Sequence, residues 1–207
     1  KAWENQNKIE IQILYTKSSI NQLIIGGVFF LCVWINIDDI FSLLPLKFQG
    51  GKWVVFYIGL SQVFDIAAGL NGAIIVNSKY FKYDLYTNIL LAGITIALNL
   101  ILIPKYGIDG AAMATVISVV IFNLIRLVLI KASMNMHPFS SNSIKTIIVL
   151  FIIYYLLQYL PKTSVVLLGI FWKSSITMMI YIPLVLWLNL SEDITLLVKD
   201  LRNRFSS

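Results

Sequence analysis

Two unbroken apolar runs, Tyr86–Ile103 (YTNILLAGITIALNLILI) and Gly110–Ile130 (GAAMATVISVVIFNLIRLVLI), are separated only by Pro104–Asp109 (PKYGID). A helix rises 1.5 Å per residue and needs roughly 20 apolar residues to cross a ~30 Å hydrocarbon layer, so each run suffices for one crossing. The connection carries a proline that stops a helix, Gly107 for a left-handed turn, and Asp109 at an N-cap position. This spacing predicts a tight helix hairpin with its turn on the outer side. A membrane β-barrel would alternate apolar and polar residues over about ten positions, whereas these runs are continuous.

Four similar runs flank the pair: Ser18–Ile37, Trp53–Asn77, Ile144–Leu160 and Ser174–Leu190. The last has room to extend back through Val165–Phe171, as a tilted helix or as an interfacial segment. The expected fold is therefore all-α, a polytopic membrane helical bundle of about six transmembrane helices. Its expected organisation is a cytoplasmic interfacial segment over residues 1–17, a six-span domain over 18–190, and a cytoplasmic tail over 191–207. The tail has Ile194, Leu197, Val198 and Leu201 at helical spacing.

Composition excludes the main soluble classes. Of 207 residues, 58% are hydrophobic and 13% charged, with a mean hydropathy of +0.83, against about 45–50% and 25% in soluble domains. The net charge of +6 suits anionic headgroups or an anionic substrate. Nucleic acid is not an expected partner, because no basic run interleaved with aromatics stands outside the apolar segments. The opening at Lys1, without a secretory apolar region, leads us to expect an excerpt of a longer chain.

Charge asymmetry gives an orientation. With the N-terminal segment cytoplasmic, the inner side holds Lys1, Lys8, Lys17, Lys79, Lys82, Lys131, Lys145, Lys199, Arg202 and Arg204, against Lys47, Lys52, Lys105 and Lys162 outside. Arg126 and Lys173, within or beside spans, are left aside. Both ends are then expected on the cytoplasmic side of the membrane.

A charge at mid-bilayer costs roughly 2.5–3.5 kcal/mol on insertion scales, so polar groups inside the spans carry the functional information. Asp65 lies about 18 Å along its run, too deep for its short side chain to snorkel. It shares a helix face with Ser61, Gly69 and Gly72. It is the candidate for coupling to an ion, H+ or Na+, with a protonated or hydrogen-bonded interhelical carboxyl as the plainer alternative. Asn88, Ala92, Thr95 and Asn99 form a second polar stripe. Thr115, Ser118, Phe122 and Arg126, with Asn123 adjoining, form a third. Arg126, Asn123, Asn99, Thr95 and Asn88 are thus candidates to line a shared polar cavity. Arg126 either snorkels to headgroups or faces a phosphate, whose geometry its guanidinium fork matches. The row Gly110, Ala114, Ser118 is a helix-packing signal.

Signs of covalent chemistry are thin. Cys32 and His137 are single residues of their kind, so neither a disulfide framework nor a metal site is expected. Asp38 and Asp39 point apart on a helix and suit a solvated helix end. Gly69-Leu70-Asn71-Gly72 lacks the lysine of a phosphate-binding loop. No catalytic residue and no cofactor are assigned, and the chain is not expected to be an enzyme.

The stretch Asn99–Thr115 (NLILIPKYGIDGAAMAT), followed by Ile117-Ser118, resembles a recurring segment of the polysaccharide flippases. These belong to the multidrug/oligosaccharidyl-lipid/polysaccharide exporter superfamily. Tyr15–Ser19 (YTKSS), Asp65–Gly72 (DIAAGLNG) and Ser78-Lys79-Tyr80 are similar to the C-terminal part of O-antigen and capsule flippases. The resemblance runs from about Tyr15 to Lys131 and weakens over the last two spans. It implies the C-terminal portion of a twelve- to fourteen-helix, two-lobe transporter whose first lobe lies in further N-terminal helices of the same chain. It also implies transfer of an undecaprenyl-diphosphate-linked oligosaccharide between leaflets for surface polysaccharide assembly, with membrane lipids around the bundle. None of its motifs assigns a role to Asp65 or Arg126. The alternatives are an ion-coupled multidrug or small-cation antiporter of the same superfamily, a membrane glycosyltransferase or polymerase, and a non-transporting scaffold.

Overall fold

The computed structural model describes residues 7–160 and 165–205. Expectations that fall on Lys1 and Lys162, or on the ends of the outer segments at residues 1–6 and 206–207, lie outside the described residues. Within them the chain is helical and contains no strand. Helix α1 spans Lys8–Ile35, α2 Ile37–Ser42, α3 Lys52–Ala67, α4 Asn71–Val76, α5 Lys82–Met134, α6 Ser141–Leu157, α7 Val166–Trp187 and α8 Glu192–Phe205. A 3-10 turn at Leu46–Gly51 leads into α3.

All six expected apolar runs are helical, but only α1, α5 and α7 are long and apolar enough to cross a membrane as single helices. The difference arises because two of the runs lie in the one helical stretch of α5, α6 has only 17 residues, and the second run is interrupted. The run Trp53–Asn77 is broken into α3 and α4 at Gly69, whose φ is +64°. The last run starts earlier than Ser174: α7 begins at Val166, so the helical option holds for Val166–Phe171. The tail forms α8, and Ser191 Oγ accepts the Ile194 N–H at 3.3 Å as its cap.

The 53 residues of α5 are two arms, 82–106 and 108–134, meeting at Gly107 with φ 59° and ψ −134°. A straight helix would hold residues 87 and 126 about 58 Å apart, yet Arg126 Nε donates to Thr87 Oγ1 at 3.3 Å. The arms therefore fold back as the expected hairpin, but the turn is made at Gly107: Pro104, expected to stop the helix, lies inside the first arm. Gly110 is buried where a Cβ would meet the Leu102 carbonyl, and Ala114 and Ser118 continue the buried row. Small residues here let the arms approach closely.

The chain divides into two compact units. The first holds α1 up to Ser19 together with Leu44–Pro138. Ile11 and Tyr15 of α1 pack with Ile74, Ile75, Ile130 and Met136. Gln12 fixes the loop after α5, since its Nε2 donates to His137 O at 2.7 Å and its Oε1 accepts the His137 N–H at 3.1 Å.

The second unit holds Ile20–Leu43 and the chain from Phe139. Ile20, Ile24, Val28 and Leu31 form one stripe of α1 against Val149, Ile153 and Leu157 of α6 and Tyr181 and Val185 of α7. Steps of three and four place each set on one helix face. The buried Tyr181 hydroxyl donates to Ile24 O at 3.0 Å. Asp39, expected at a solvated helix end, instead pairs with Lys173 at 2.6 Å. The sequence does not show this pairing, because 134 residues separate the partners.

Candidate functional site

The break in the second run builds the site. Helix α3 ends at Ala67, and Gly69 turns the chain left-handed in close contact with α1. A Cβ at Gly69 would stand 3.1 Å from the Ser19 backbone. A broken helix inside protein needs new partners for its freed backbone groups. One is supplied by the fully buried Ser19, whose Oγ donates to Ala67 O at 2.5 Å. The chain resumes as α4, placing Asn71 and Gly72 beside the second arm of α5.

Two linked clusters result. In the first, Asn71 Nδ2 donates to Asn123 Oδ1 at 2.7 Å, and Asn123 Nδ2 donates to Asp65 Oδ1 at 3.0 Å. Asn123 thus joins both sides of the break. Asn71 and Asn123 are buried, whereas Asp65 stays exposed on this chain.

In the second cluster Arg126, one turn further on, pairs with Asp84 of the first arm and donates to Thr87. Its guanidinium carbon lies 4.1 Å from the centre of the Phe122 ring, a cation–π contact. It also packs so closely on Gly72 that a Cβ there would stand 3.0 Å from its Nη1. Asp65 lies within electrostatic reach of the same guanidinium. The site therefore holds one cation and two carboxylates, Asp84 paired with Arg126 and Asp65 linked to the site through Asn123, and ionisation of both leaves one excess negative charge.

The expected cavity candidates divide. Asp65, Asn123 and Arg126 come together. Asn88 touches the edge, since its Nδ2 donates to Asp84 Oδ2 at 3.1 Å and to Asp84 O at 2.8 Å. Thr95 and Asn99 do not join: Thr95 donates to Leu91 O at 2.8 Å and Asn99 to Thr95 O at 2.8 Å. These bonds within one helix are what a Thr or Asn makes when no cross-helix partner is in reach. Arg126 is paired with Asp84, a partner that neither of its expected options included.

Asn71, Asp84 and Thr87 are members that sequence reasoning missed. Asp84 sits in the first turn of α5, where it reads as a loop acid. Folding the chain about Gly107 brings it opposite Arg126, and that reflection is the signal that finds it. Among the described residues, no three His, Cys, Asp or Glu side chains gather as a metal site.

No known family matches this chain, and no curated protein or solved structure does. The resemblance of Asn99–Thr115 to the polysaccharide flippases thus gains no support from these comparisons.

Proposed function

We propose that the chain is the C-terminal lobe of an ion-coupled transporter that moves an undecaprenyl-diphosphate-linked oligosaccharide across a bacterial inner membrane. The observation that carries this reading is the broken second run, with Asp65 and Asn71 flanking the break and Asn123 and Arg126 facing it. Discontinuous helices with polar groups at the break are how secondary transporters build substrate and ion sites inside the bilayer. A continuous helix would suffice for a passive anchor.

The charge count supplies the coupling logic. Asp65 and Asp84 share Arg126, so the excess negative charge attracts H+ or Na+ at Asp65. A diphosphate competes with Asp84 for the guanidinium, because the fork binds phosphate and carboxylate by the same geometry. Loading an ion at Asp65 removes one of the two carboxylates that compete for Arg126. The exposed face of Asp65 adds support: at about 18 Å along its run a bare carboxylate against lipid is costly. A first lobe or a wet cavity covers it in this proposal.

The test is transfer of a fluorescent undecaprenyl-diphosphate oligosaccharide between leaflets of liposomes holding the intact protein, with and without an imposed H+ or Na+ gradient. Arg126→Ala lowers transfer more than Arg126→Lys, and Asp65→Asn abolishes the response to the gradient. Wild-type transfer in all three variants overturns the assignment of the site. Gradient-driven efflux of an organic cation, with no glycolipid transfer, would establish the antiporter reading. Glycosidic-bond formation by the purified protein would establish the transferase.

A further inference from the structure

The corner between α7 and α8 lies in the second unit and is held on several sides. Asn189, with φ +48°, takes the left-handed conformation just past the end of α7. The Leu190 N–H then donates to Val185 O at 3.0 Å and the Asn189 N–H to Leu186 O at 3.2 Å, the paired bonds of a Schellman stop. Two other helices hold the corner. From α6, Asn142 Nδ2 donates to Leu190 O at 3.1 Å. From α1, Asn21 Oδ1 accepts the Ser191 hydroxyl, and Asn21 Nδ2 donates to Asp193 Oδ2 at 2.9 Å. The direction in which α8 leaves the corner is thereby fixed. We propose that α8 is an interfacial helix that lies along the membrane surface where α7 ends, its apolar stripe in the headgroup–acyl boundary and its basic half on anionic phospholipid headgroups.

The first observation is depth. Helix α7 is long and apolar enough to cross a membrane, and Trp187, its last residue, is 80% exposed. A tryptophan at the end of a span marks the headgroup level. Helix α8 begins at Glu192, immediately after the corner, so it starts at that level.

The second is the stripe. Ile194, Leu197 and Val198 share one side of α8, and the sequence continues the spacing at Leu201. Ile194 packs against the core of the second unit, whereas Leu197 is 60% exposed. The protein covers the start of the stripe and leaves Leu197 bare. Leu196, exposed on the opposite side, is the exception to the pattern. A protein groove takes up an amphipathic helix along its whole apolar face, and Ile194 is already packed. A lipid surface meets the remainder from one side.

The third is charge. Glu192 and Asp193 open the helix, and Asp193 is tied to Asn21. Beyond Val198, the three cations Lys199, Arg202 and Arg204 stand against Asp200 alone. A basic cluster beside a membrane span attracts anionic headgroups, which selects an anionic leaflet over a neutral one.

This inference does not rest on the glycolipid reading. The experiment uses the intact protein with Cys32→Ser, carrying bimane on Leu197→Cys or, separately, on Asn203→Cys, which lies on the polar side of α8 and is exposed. The protein is placed in bilayers of phosphatidylcholine with a minor fraction of phosphatidylglycerol, one or the other brominated on its acyl chains as quencher. Brominated chains quench the Leu197 probe about threefold more than the Asn203 probe, because only the first faces the acyl boundary. Phosphatidylglycerol is preferred over phosphatidylcholine around the Leu197 probe by about fivefold, the effect of one basic contact. That preference falls to about onefold when Lys199, Arg202 and Arg204 are all replaced by Gln, with an unchanged thermal unfolding curve. Lys199→Gln alone lowers it part of the way, and carries the test if the triple variant is unstable. Weak and equal quenching at both probes overturns the interfacial placement and leaves α8 to a soluble partner. Equal quenching by the two lipids, or a preference that survives the loss of the basic residues, overturns the assignment of anionic headgroups to α8.

Discussion

Asn123 joins the two halves of the broken run, and a double-mutant cycle with Asn71 measures that link directly. Asn123→Ala removes the bond accepted from Asn71 and the bond donated to Asp65. Interhelical hydrogen bonds in membranes average about 0.6 kcal/mol and reach about 1.7, so the loss is about 1–3 kcal/mol. Asn71→Ala removes one of the two bonds and costs about 0.6–1.7 kcal/mol. The shared bond appears as a coupling of similar size, because the double variant cannot lose it twice. Asn88→Ala is the control: its bonds go to Asp84 one turn away and it is exposed, so its cost stays within about 0.5 kcal/mol. The assay is reversible unfolding of the intact protein in bicelles, read by steric trapping. Single-variant losses that add to within about 0.3 kcal/mol in the double variant would refute the link across the break.

Three further outcomes test other parts of the fold. Gly69→Ala destabilises by at least about 1–2 kcal/mol, since its φ of +64° is unfavourable for any residue with a Cβ. Gly93→Ala, where nothing stands within 4 Å of the added carbon, is instead stabilising by about 0.5–1 kcal/mol; equal effects at both sites in thermal unfolding would deny the break. Lys173→Met costs about 1–3 kcal/mol, because it leaves Asp39 unpaired where the two side chains are only 13% and 26% exposed. The exchanged pair Asp39→Lys with Lys173→Asp recovers part of that loss, and no recovery would count against the contact. Tyr181→Phe costs about 0.5–1.5 kcal/mol through the lost bond to Ile24, and a smaller change in denaturant midpoint would place the hydroxyl elsewhere.

The legible parts of this molecule are those governed by local chemistry. The hairpin at Gly107 was readable because Gly107 and two bounded apolar runs act within a few residues of the turn, whereas Pro104 does not end the first arm. The break at Gly69 was not, because hydropathy marks where a run lies and not where its helix is interrupted. Gly69-Leu70-Asn71-Gly72 carried the signal, but its meaning depends on Ser19, 48 residues away in the hydrogen bond to Ala67. Asp65 and Asn123 meet and Arg126 lies one turn on, whereas Thr95 and Asn99 bond within their own helix, since a stripe shows which residues share a face and not what that face meets. The Lys173–Asp39 pair was hidden for a related reason, as α2 and α7 meet only after the chain has folded.

The meeting of Asp84 and Arg126 at the open end of the hairpin bears on how the chain enters a bilayer during synthesis. Asp84 emerges from the ribosome about 40 residues before its counter-ion. Alone, each charged group opposes partitioning by roughly 2.5–3.5 kcal/mol if it reaches mid-membrane. Once both have emerged they neutralise one another, so the two arms gain by leaving the translocon together. The pair therefore favours entry of the two arms as one hairpin over entry helix by helix, with Gly107 leading and the ion pair closing behind it.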